Sequence, residues 1–319
     1  MTPVMTPVEV QEQLSVRSLI ATRDLTRGDI ELIFSLAARA KNAPAAYSSA
    51  LRGKQLAMLF EKPSLRTRVT FEVAMTSMGG FAVYLDHAKP RLGERESVKD
   101  IARNLDRWVD GIVARTFAHE SVVELAANAS IPVVNGLTDL LHPCQALTDL
   151  FTLEERFGSL AGVKLAYVGD GNNVCHSLMT VAAKLGVCLH IATPAGFAPK
   201  PQIVDEAGRF AARSGAAIEL FQNPVEAVKG CDAVYTDVWA GMGQEYAAHL
   251  REQVFAPFQV NDALMAAAGR GALFMHCLPA HRGKEVTDSV IDSPRSIVYD
   301  QAENRLHVQK AILMLLLGR

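Results

Sequence analysis

Strand-like apolar runs alternate with amphipathic helical segments along most of this chain. Of all the features of the sequence, this alternation restricts the possible folds most strongly. Strands that alternate with helices are typical of parallel sheets covered by helices. We therefore predict an α/β fold with two domains, each a parallel β-sheet flanked by helices. The runs lie at 55–60, 80–85, 111–114 and 132–135, with helices predicted to begin near Arg68, Val98, Ser121 and His142, and then at 164–168, 188–193, 216–220, 233–237, 272–276 and 296–299.

The length of the chain agrees with two domains. A chain of 319 residues is longer than one hydrophobic core usually organises, and its length suits two domains of about 150 residues each. The helix that starts near His142 is predicted to end at the glycines of residues 157–162. The predicted boundary lies there, with domains at 1–155 and 156–299, and the apolar residues 311–317 are predicted to form a packed terminal helix.

Residues 61–68 place two arginines and two hydroxyls where a predicted strand turns into a helix. Backbone N–H groups at a helix start favour an anion, and guanidinium groups suit phosphate. We therefore predict a phosphate-binding loop that contains Ser64, Arg66, Thr67 and Arg68. The alternative is a solvated basic helix start in which Ser64 is an ordinary N-cap.

Two further sites in the first half follow predicted strands, where ligands bind in open parallel sheets. Arg115 ends the third strand and could face the same anion or a carbonyl oxygen, although a surface role is equally open. His142 and Gln145 lie one helical turn apart and could contact a carbonyl oxygen and an amide group. A helix cap and a solvated glutamine are their alternative roles.

In the second half, residues 169–173 read Gly-Asp-Gly-Asn-Asn between a strand and a helix, which resembles a dinucleotide-binding turn. The third glycine of that motif is replaced by Val174, and the next strand ends in Thr193 rather than near an acid. We therefore disfavour a nicotinamide cofactor and expect the loop to present amide side chains. Asp237, at another strand end, could hold a substrate ammonium group or cap a turn.

Cys277 ends an apolar strand between two histidines and just before a proline turn. A free cysteine is often a small buried hydrophobic residue, but this position favours a site residue. A cysteine protease is the rival interpretation, since its thiolate would attack an acyl group with help from a base. That interpretation leaves the phosphate-binding loop unexplained.

Composition excludes several classes of function. A net charge of −2 with balanced acids and bases argues against a nucleic-acid-binding protein. No apolar run approaches the roughly 20 residues that span a bilayer, and residues 1–8 lack the pattern of a signal peptide. Five cysteines without a Cys-x-x-Cys pair predict neither disulfides nor a zinc site. We expect a cytoplasmic protein that acts on small molecules.

Taken together, these motifs resemble those of the ornithine carbamoyltransferases, in order from about residue 15 to the C-terminus. The first three are shared with the aspartate carbamoyltransferases. Two others, residues 277–279 and Asp237 with residues 242–243, are typical of the ornithine branch. The motifs that carry the resemblance are 64–68, 114–116, 142–145, 237–239 with 242–243, 276–279 and 303–305.

The resemblance implies transfer of a carbamoyl group from carbamoyl phosphate to the δ-amine of L-ornithine, which gives L-citrulline and phosphate without a metal or cofactor. It implies that Cys277, Arg115 and His142 are catalytic. Residues 1–155 would bind carbamoyl phosphate, with a C-terminal helix at 300–319 packing back on them, and residues 156–299 would bind ornithine. The implied carbamoyl phosphate contacts are Ser64, Leu65, Arg66, Thr67, Arg91, Arg115, His142, Gln145, Cys277, Leu278 and Arg305, and the implied ornithine contacts are Asn173, Asp237, Gly241 and Met242.

The resemblance also implies a homotrimer with shared active sites, in which the loop 89–93 places Arg91 at the phosphate of a neighbouring subunit. Two positions depart from the family pattern. Leu65 and Gly241 stand where a threonine and a serine are frequent, and Gly241 removes a hydroxyl that would contact the amino acid. An acceptor such as an N-acylated ornithine or putrescine is therefore the alternative. A binding protein without catalysis is disfavoured, since every charged member of the site is present.

Overall fold

The computed structural model describes residues 11–240 and 248–318. The chain divides into two compact units. The first unit comprises Met1–Leu147 together with Asn304–Arg319, and the second unit comprises Thr148–Glu303.

The first unit contains a four-stranded parallel sheet in the order β2-β1-β3-β4. Strand β3 is buried along its whole length and β1 along all but its first residue, since both lie between other strands and under helices. Its elements are α1 (Arg27–Asn42), β1 (Gln55–Phe60), α2 (Leu65–Ser77), β2 (Phe81–Asp86), α3 (Val98–Leu105), β3 (Gly111–Arg115), α4 (His119–Asn128), β4 (Val133–Leu137) and the start of α5 (Pro143–Phe157).

The second unit contains a five-stranded parallel sheet in the order β7-β6-β5-β8-β9. One hydrophobic core on this sheet includes Val168, Val234 and Phe274, all fully buried. The elements that follow α5 are β5 (Lys164–Val168), α6 (Asn173–Leu185), β6 (Cys188–Ala192), α7 (Pro201–Ser214), β7 (Ile218–Phe221), α8 (Pro224–Val228), β8 (Ala233–Thr236), α9 (Ala248–Phe255), α10 (Asp262–Ala268), β9 (Leu273–His276), α11 (Asp288–Ile291) and α12 (Val298–Leu317).

Two parallel sheets with flanking helices confirm the predicted α/β fold. One of the strand predictions is wrong. The run at 296–299 contributes a single bridge from Ser296 to Phe274, and helix α12 then begins at Val298. Three apolar residues cannot distinguish a strand from the first turn of a helix, and here the helical continuation decides the conformation.

The end of α12 packs on the sheet of the first unit, as predicted for the C-terminal helix. Gly111, at the start of β3, shows how close this contact is. A Cβ atom at Gly111 would lie 2.7 Å from Cδ2 of Leu317, which is closer than real Cβ contacts allow. A methyl group at position 111 would therefore require the Leu317 side chain to shift.

The polar residues singled out from the sequence follow the carboxyl ends of their strands. In the first unit, α2 begins after β1, Arg115 ends β3 and His142 follows β4. In the second unit, residues 169–173 follow β5, and Asp237 and Cys277 follow the neighbouring strands β8 and β9. Parallel strands bring these ends to one edge of each sheet. Among the described residues, none of the helices is long and apolar enough to cross a membrane.

Candidate active site

The N-terminus of α2 is the segment that the sequence predicts to bind phosphate. Ser64 has an extended backbone, and its hydroxyl accepts a hydrogen bond from the backbone N–H of Thr67 at 3.3 Å. Leu65 is the first helical residue and is 74% exposed. The first-turn N–H groups of a helix have no partner within the helix. This end of α2 therefore has the local geometry of an anion site.

The two arginines of this loop differ in their surroundings. Arg68 donates from Nε to Glu72 at 3.0 Å, and its guanidinium lies 3.9 Å from the centre of the Tyr84 ring. These contacts hold Arg68 along the exposed side of α2. Arg66 is half-buried in the first turn of α2, and of the two arginines it is the one to which the family resemblance assigns phosphate contact.

Arg305, from α12, connects two predicted site residues in the first unit. Its Nη1 donates to Oε1 of Gln145 at 2.6 Å, and its Nη2 donates to Oγ1 of Thr67 at 2.9 Å. All three side chains are buried. A guanidinium donates in a fixed planar geometry, so Arg305 determines how Thr67 and the Gln145 carbonyl are oriented.

His142 and Arg115 are also buried in the first unit. Burial lowers the pKa of the His142 imidazole well below its usual value, and the positive charges of Arg305 and Arg115 lower it further. His142 is therefore neutral at neutral pH. A neutral imidazole can donate one hydrogen bond to a carbonyl oxygen while Arg115 supplies charge.

The lowered pKa of His142 predicts an acid-sensitive fold. At a pH below 6.5, the ordinary pKa of histidine, His142 takes up a proton in the unfolded chain but not in the folded chain. The contribution of neutral His142 to the unfolding free energy is therefore present above pH 6.5 and is lost progressively below it. One such group changes the unfolding free energy by about 1.4 kcal/mol per pH unit. We expect His142→Gln to lose less stability than wild type between pH 6.5 and more acidic conditions, measured by urea unfolding. Equal pH slopes for both proteins would contradict this prediction.

Arg91 lies on its own chain's Phe117, with its guanidinium 4.0 Å from the ring centre. The surrounding loop is anchored by the buried carboxylate of Glu61, which accepts from the backbone N–H of Leu92 at 3.0 Å and of Phe117 at 2.6 Å. The loop is thus fixed at its base, and Arg91 is exposed beyond it.

Asp237 is the centre of the site residues in the second unit. Its carboxylate is buried and accepts three hydrogen bonds. Oδ1 accepts from the thiol of Cys277 at 3.0 Å and from the backbone N–H of Val238 at 2.8 Å, and Oδ2 accepts from the amide of Asn172 at 2.7 Å. This network gives the carboxylate a single orientation.

The environment of Cys277 keeps its thiol protonated. Burial raises the pKa of the Cys277 thiol well above its usual value, and the neighbouring negative charge of Asp237 raises it further. The thiol is therefore a hydrogen-bond donor at neutral pH, because the reactive thiolate is disfavoured. This finding argues against the cysteine-protease interpretation, which requires a nucleophilic thiolate.

Leu278, which follows Cys277, has a left-handed backbone with φ of 56°. Such a conformation is rare for a branched side chain and needs support from its surroundings. The backbone N–H of Leu278 donates to Nδ1 of His276 at 2.8 Å, and Nε2 of His276 lies 3.2 Å from the buried Glu285. The sequence pattern did not single out Glu285, which lies eight residues beyond Cys277 in the chain.

Three residues of the second unit have the chemistry of metal ligands. One ligand atom from each of Asp237, His276 and Cys277 lies within 4.8 Å of the others. Both ring nitrogens of His276 already take part in the contacts with Leu278 and Glu285. A metal ion would therefore have to displace one of these contacts.

The loop after β5 presents Asn172 and Asn173 at the start of α6. Its glycine at 171 serves packing, since an added Cβ would lie 2.3 Å from the backbone nitrogen of Pro199. The acid of this loop, Asp170, pairs with Arg251. Burial raises the pKa of Asp170 to about 6 even though Arg251 lowers it. The loop is thus tightly packed.

We expect Gly171→Ala to destabilise the protein by about 3 kcal/mol, because the added methyl group meets rigid backbone atoms. The matched control is Gly208→Ala in α7, where nothing lies within 4 Å of the added Cβ. That change should instead stabilise the protein by about 0.5–1 kcal/mol through helix propensity. Denaturant unfolding measures both. Similar effects for the two variants would contradict the packing role of Gly171.

The structure therefore brings Thr67, Gln145 and Arg305 into contact in the first unit, and Asp237 and Cys277 in the second. Gly241 and Met242 lie outside the described residues. Sequence reasoning missed the role of Asn172 toward Asp237. The only signal in the sequence was its position in the same strand-end loop as Asn173.

Comparison with known proteins identifies the family. Residues 17–155 match the family described as the carbamoyl-P binding domain of aspartate/ornithine carbamoyltransferase, and residues 161–316 match its Asp/Orn binding domain. An ornithine carbamoyltransferase of Thermococcus kodakarensis is 51% identical over 307 residues, which is 96% of this chain and 98% of the relative.

Solved structures agree with this match. The ornithine carbamoyltransferase from Pyrococcus furiosus has a TM-score of 0.92 and 51% identity, covering 95% of this chain and 97% of the other. The enzyme from Thermus thermophilus has a TM-score of 0.86 and 46% identity, covering 95% and 99%. The strand-end residues described above lie within the two matched domains, and the chain belongs to the aspartate/ornithine carbamoyltransferase family.

Proposed function

We propose that this protein is an ornithine carbamoyltransferase, which transfers the carbamoyl group of carbamoyl phosphate to the δ-amine of L-ornithine. The observation that carries this proposal is the contact of Arg305 with Thr67 and Gln145 beside the anion-binding end of α2. Relatives that cover nearly the whole chain are named ornithine carbamoyltransferases. The activity requires both a phosphate site and an amino-acid site, and each unit contains residues suited to one of them.

In the first unit, the proposed ligand is carbamoyl phosphate. The backbone at the start of α2 and the Arg66 guanidinium would bind the phosphate, since both are suited to anions. Arg115 and His142 would donate to the carbonyl oxygen, and Gln145 would face the carbamoyl amide. The proposed set also includes the hydroxyl of Ser64 and the side chains of Thr67 and Arg305. Its other members are Leu65, Arg91, Cys277 and Leu278.

In the second unit, Asp237 would bind the α-ammonium group of ornithine, and Asn173 at the start of α6 would contact the same substrate. Gly241 and Met242 are retained as proposed ornithine contacts. Cys277 would lie near the δ-amine. As a protonated thiol bound to Asp237, it would orient this amine by hydrogen bonding without forming a covalent intermediate.

The proposed chemistry is nucleophilic addition to the carbonyl carbon followed by elimination of phosphate. The lone pair of the neutral δ-amine forms a C–N bond and gives a tetrahedral oxyanion. The C–O bond to phosphate then breaks, and the nitrogen loses one proton to the departing phosphate. The products are the neutral ureido group of citrulline and hydrogen phosphate. Donors that are already oriented toward an oxyanion stabilise it by about 3 kcal/mol each. We assign this role to Arg115, His142 and Thr67.

The acceptor is tested by measuring product formation from carbamoyl phosphate with ornithine, N-acetylornithine and putrescine. We expect the highest kcat/KM with ornithine, in agreement with the names of the relatives. A higher value with either other amine would overturn the ornithine assignment. Because one relative is named as anabolic, we assign the enzyme to arginine biosynthesis.

A homotrimer with shared sites is supported by an apolar surface on the first unit. Val69 and Val73 of α2 and Phe81 and Val83 of the edge strand β2 are 42–65% exposed. Exposed apolar side chains that form one patch are typical of protein interfaces, and we propose that these four form such a patch. A second copy of the chain would cover this surface, and Arg91 would reach the phosphate site of the neighbouring subunit.

All five cysteines are free, which supports the proposal that the protein lies in the reducing cytoplasm.

We expect a mixture of two impaired variants, Arg91→Ala and Arg66→Ala, to recover activity after subunit exchange. In a shared site, a subunit that keeps Arg66 receives Arg91 from its neighbour, so some hybrid sites contain both arginines. Citrulline formation before and after exchange measures the recovery, and native mass spectrometry verifies the hybrids. Hybrid trimers without recovered activity would show that each site uses its own Arg91.

A further inference from the structure

Asn172 contacts the start of α6 and the carboxylate of Asp237. Its contacts with α6 show which atom of the side-chain amide is the oxygen. Its Oδ1 accepts from the backbone N–H groups of Val174 at 3.0 Å and Cys175 at 3.1 Å, which caps α6. The hydroxyl of Tyr167 lies 3.2 Å from the same oxygen. Three donors on one atom identify that atom as the carbonyl oxygen.

The amide nitrogen of Asn172 is consequently the atom that faces Asp237. Its Nδ2 donates to Oδ2 of Asp237 at 2.7 Å. The other oxygen of this carboxylate accepts from Cys277 and from the backbone at Val238. Asn172 is therefore the partner that binds the second oxygen and limits rotation of the carboxylate.

We propose that Asn172 is a positioning residue, which couples the N-terminus of α6 to the carboxylate of Asp237 and orients it for the substrate ammonium group. This inference rests on the proposed function, since it assumes that Asp237 binds ornithine. The helix start is a rigid support because α6 is almost entirely buried. The orientation of the carboxylate is thus set before substrate arrives, which lowers the cost of ordering it on binding.

Capping alone does not explain an asparagine at this position. A helix cap requires only a side-chain oxygen, and serine serves about as well as asparagine. Asn261 caps α10 in the same unit by accepting from Leu264 at 3.0 Å. The additional feature of Asn172 is its N–H contact with a buried carboxylate.

The surroundings of Asn172 favour this arrangement. Tyr167 is fully buried and stacks on Tyr235, with ring centres 5.6 Å apart. Burial raises the pKa of Tyr167 well above its usual value, so its hydroxyl remains protonated and can donate to Asn172. The other titratable groups near this position are Asp170 with its partner Arg251, and the thiols of Cys175 and Cys277.

The test compares Asn172→Ser with Asn261→Ser. Serine preserves a capping oxygen at both positions. At position 172 alone, it also removes the N–H group that binds Asp237. We expect Asn172→Ser to raise the KM for ornithine by about tenfold, since a hydrogen bond to a charged group is lost. The KM for carbamoyl phosphate should be unchanged, and melting temperatures establish that both variants fold. An unchanged KM for ornithine, or equal kinetic effects in both variants, would overturn the proposal.

A double-mutant cycle with Asp237→Asn gives a second test. If Asn172 acts through Asp237, adding Asn172→Ser to Asp237→Asn should cause no further loss of kcat/KM for ornithine. Additive losses would overturn the proposal. Asn172→Thr replaces the serine variant if that protein does not fold, because threonine also caps helices. Absence of citrulline formation by wild type would instead overturn the proposed function, so the two failures are distinguishable.

Discussion

Replacing Arg115 by alanine should reduce kcat by about 100-fold to 1000-fold, which is the usual loss when one oriented oxyanion donor is removed. Arg115 ends β3 and is buried, so its charge acts in a medium that screens it less than water does. His142 is neutral there and can supply hydrogen bonding but not charge. The loss should therefore appear mainly in kcat, measured from steady-state citrulline formation.

The matched control is Arg27→Ala in the same unit. Arg27 is an exposed arginine that pairs with Glu31 on α1 at 2.7 Å. Exposed pairs of this kind contribute about 1 kcal/mol or less to stability, and activity should be unchanged. Melting temperatures establish that both variants fold. A folded Arg115→Ala protein with nearly wild-type kcat would contradict the assignment of Arg115 to the oxyanion.

Replacing Asp237 by asparagine should reduce kcat/KM for ornithine by about 30-fold to more than about 1000-fold. Loss of one partner from a buried charge pair costs about 2–5 kcal/mol, and each 1.4 kcal/mol corresponds to about tenfold. The amide also disrupts the contacts of Asp237 with Cys277 and Asn172. Affinity for carbamoyl phosphate should change little.

Asp262→Asn is the control for this prediction, because Asp262 is an exposed acid in the same unit. Its kinetics should match wild type. Initial rates over a range of ornithine concentrations, with carbamoyl phosphate saturating, measure the effect. If Asp237→Asn lowers affinity for carbamoyl phosphate but leaves the KM for ornithine unchanged, Asp237 does not bind the amino acid.

The sequence predicted correctly which residues lie at single strand ends, because a strand, a turn and a helix start are local features. The phosphate loop is an example, since Ser64 and the residues after it lie within one helical turn. The same local pattern could not separate Arg66 from Arg68. The contact of Arg68 with Tyr84, which belongs to strand β2, was also outside its reach.

By itself, the sequence determined the α/β class, the number of units and the types of residue at the strand ends, since periodicity and turn residues act over short distances. Only the tertiary structure decided the strand orders and the contacts between distant residues. Arg305 contacts Gln145 and Thr67 across separations of 160 and 238 residues, and Asn172 reaches Asp237 across 65. Such contacts depend on how the whole chain packs, which no local pattern of residues specifies.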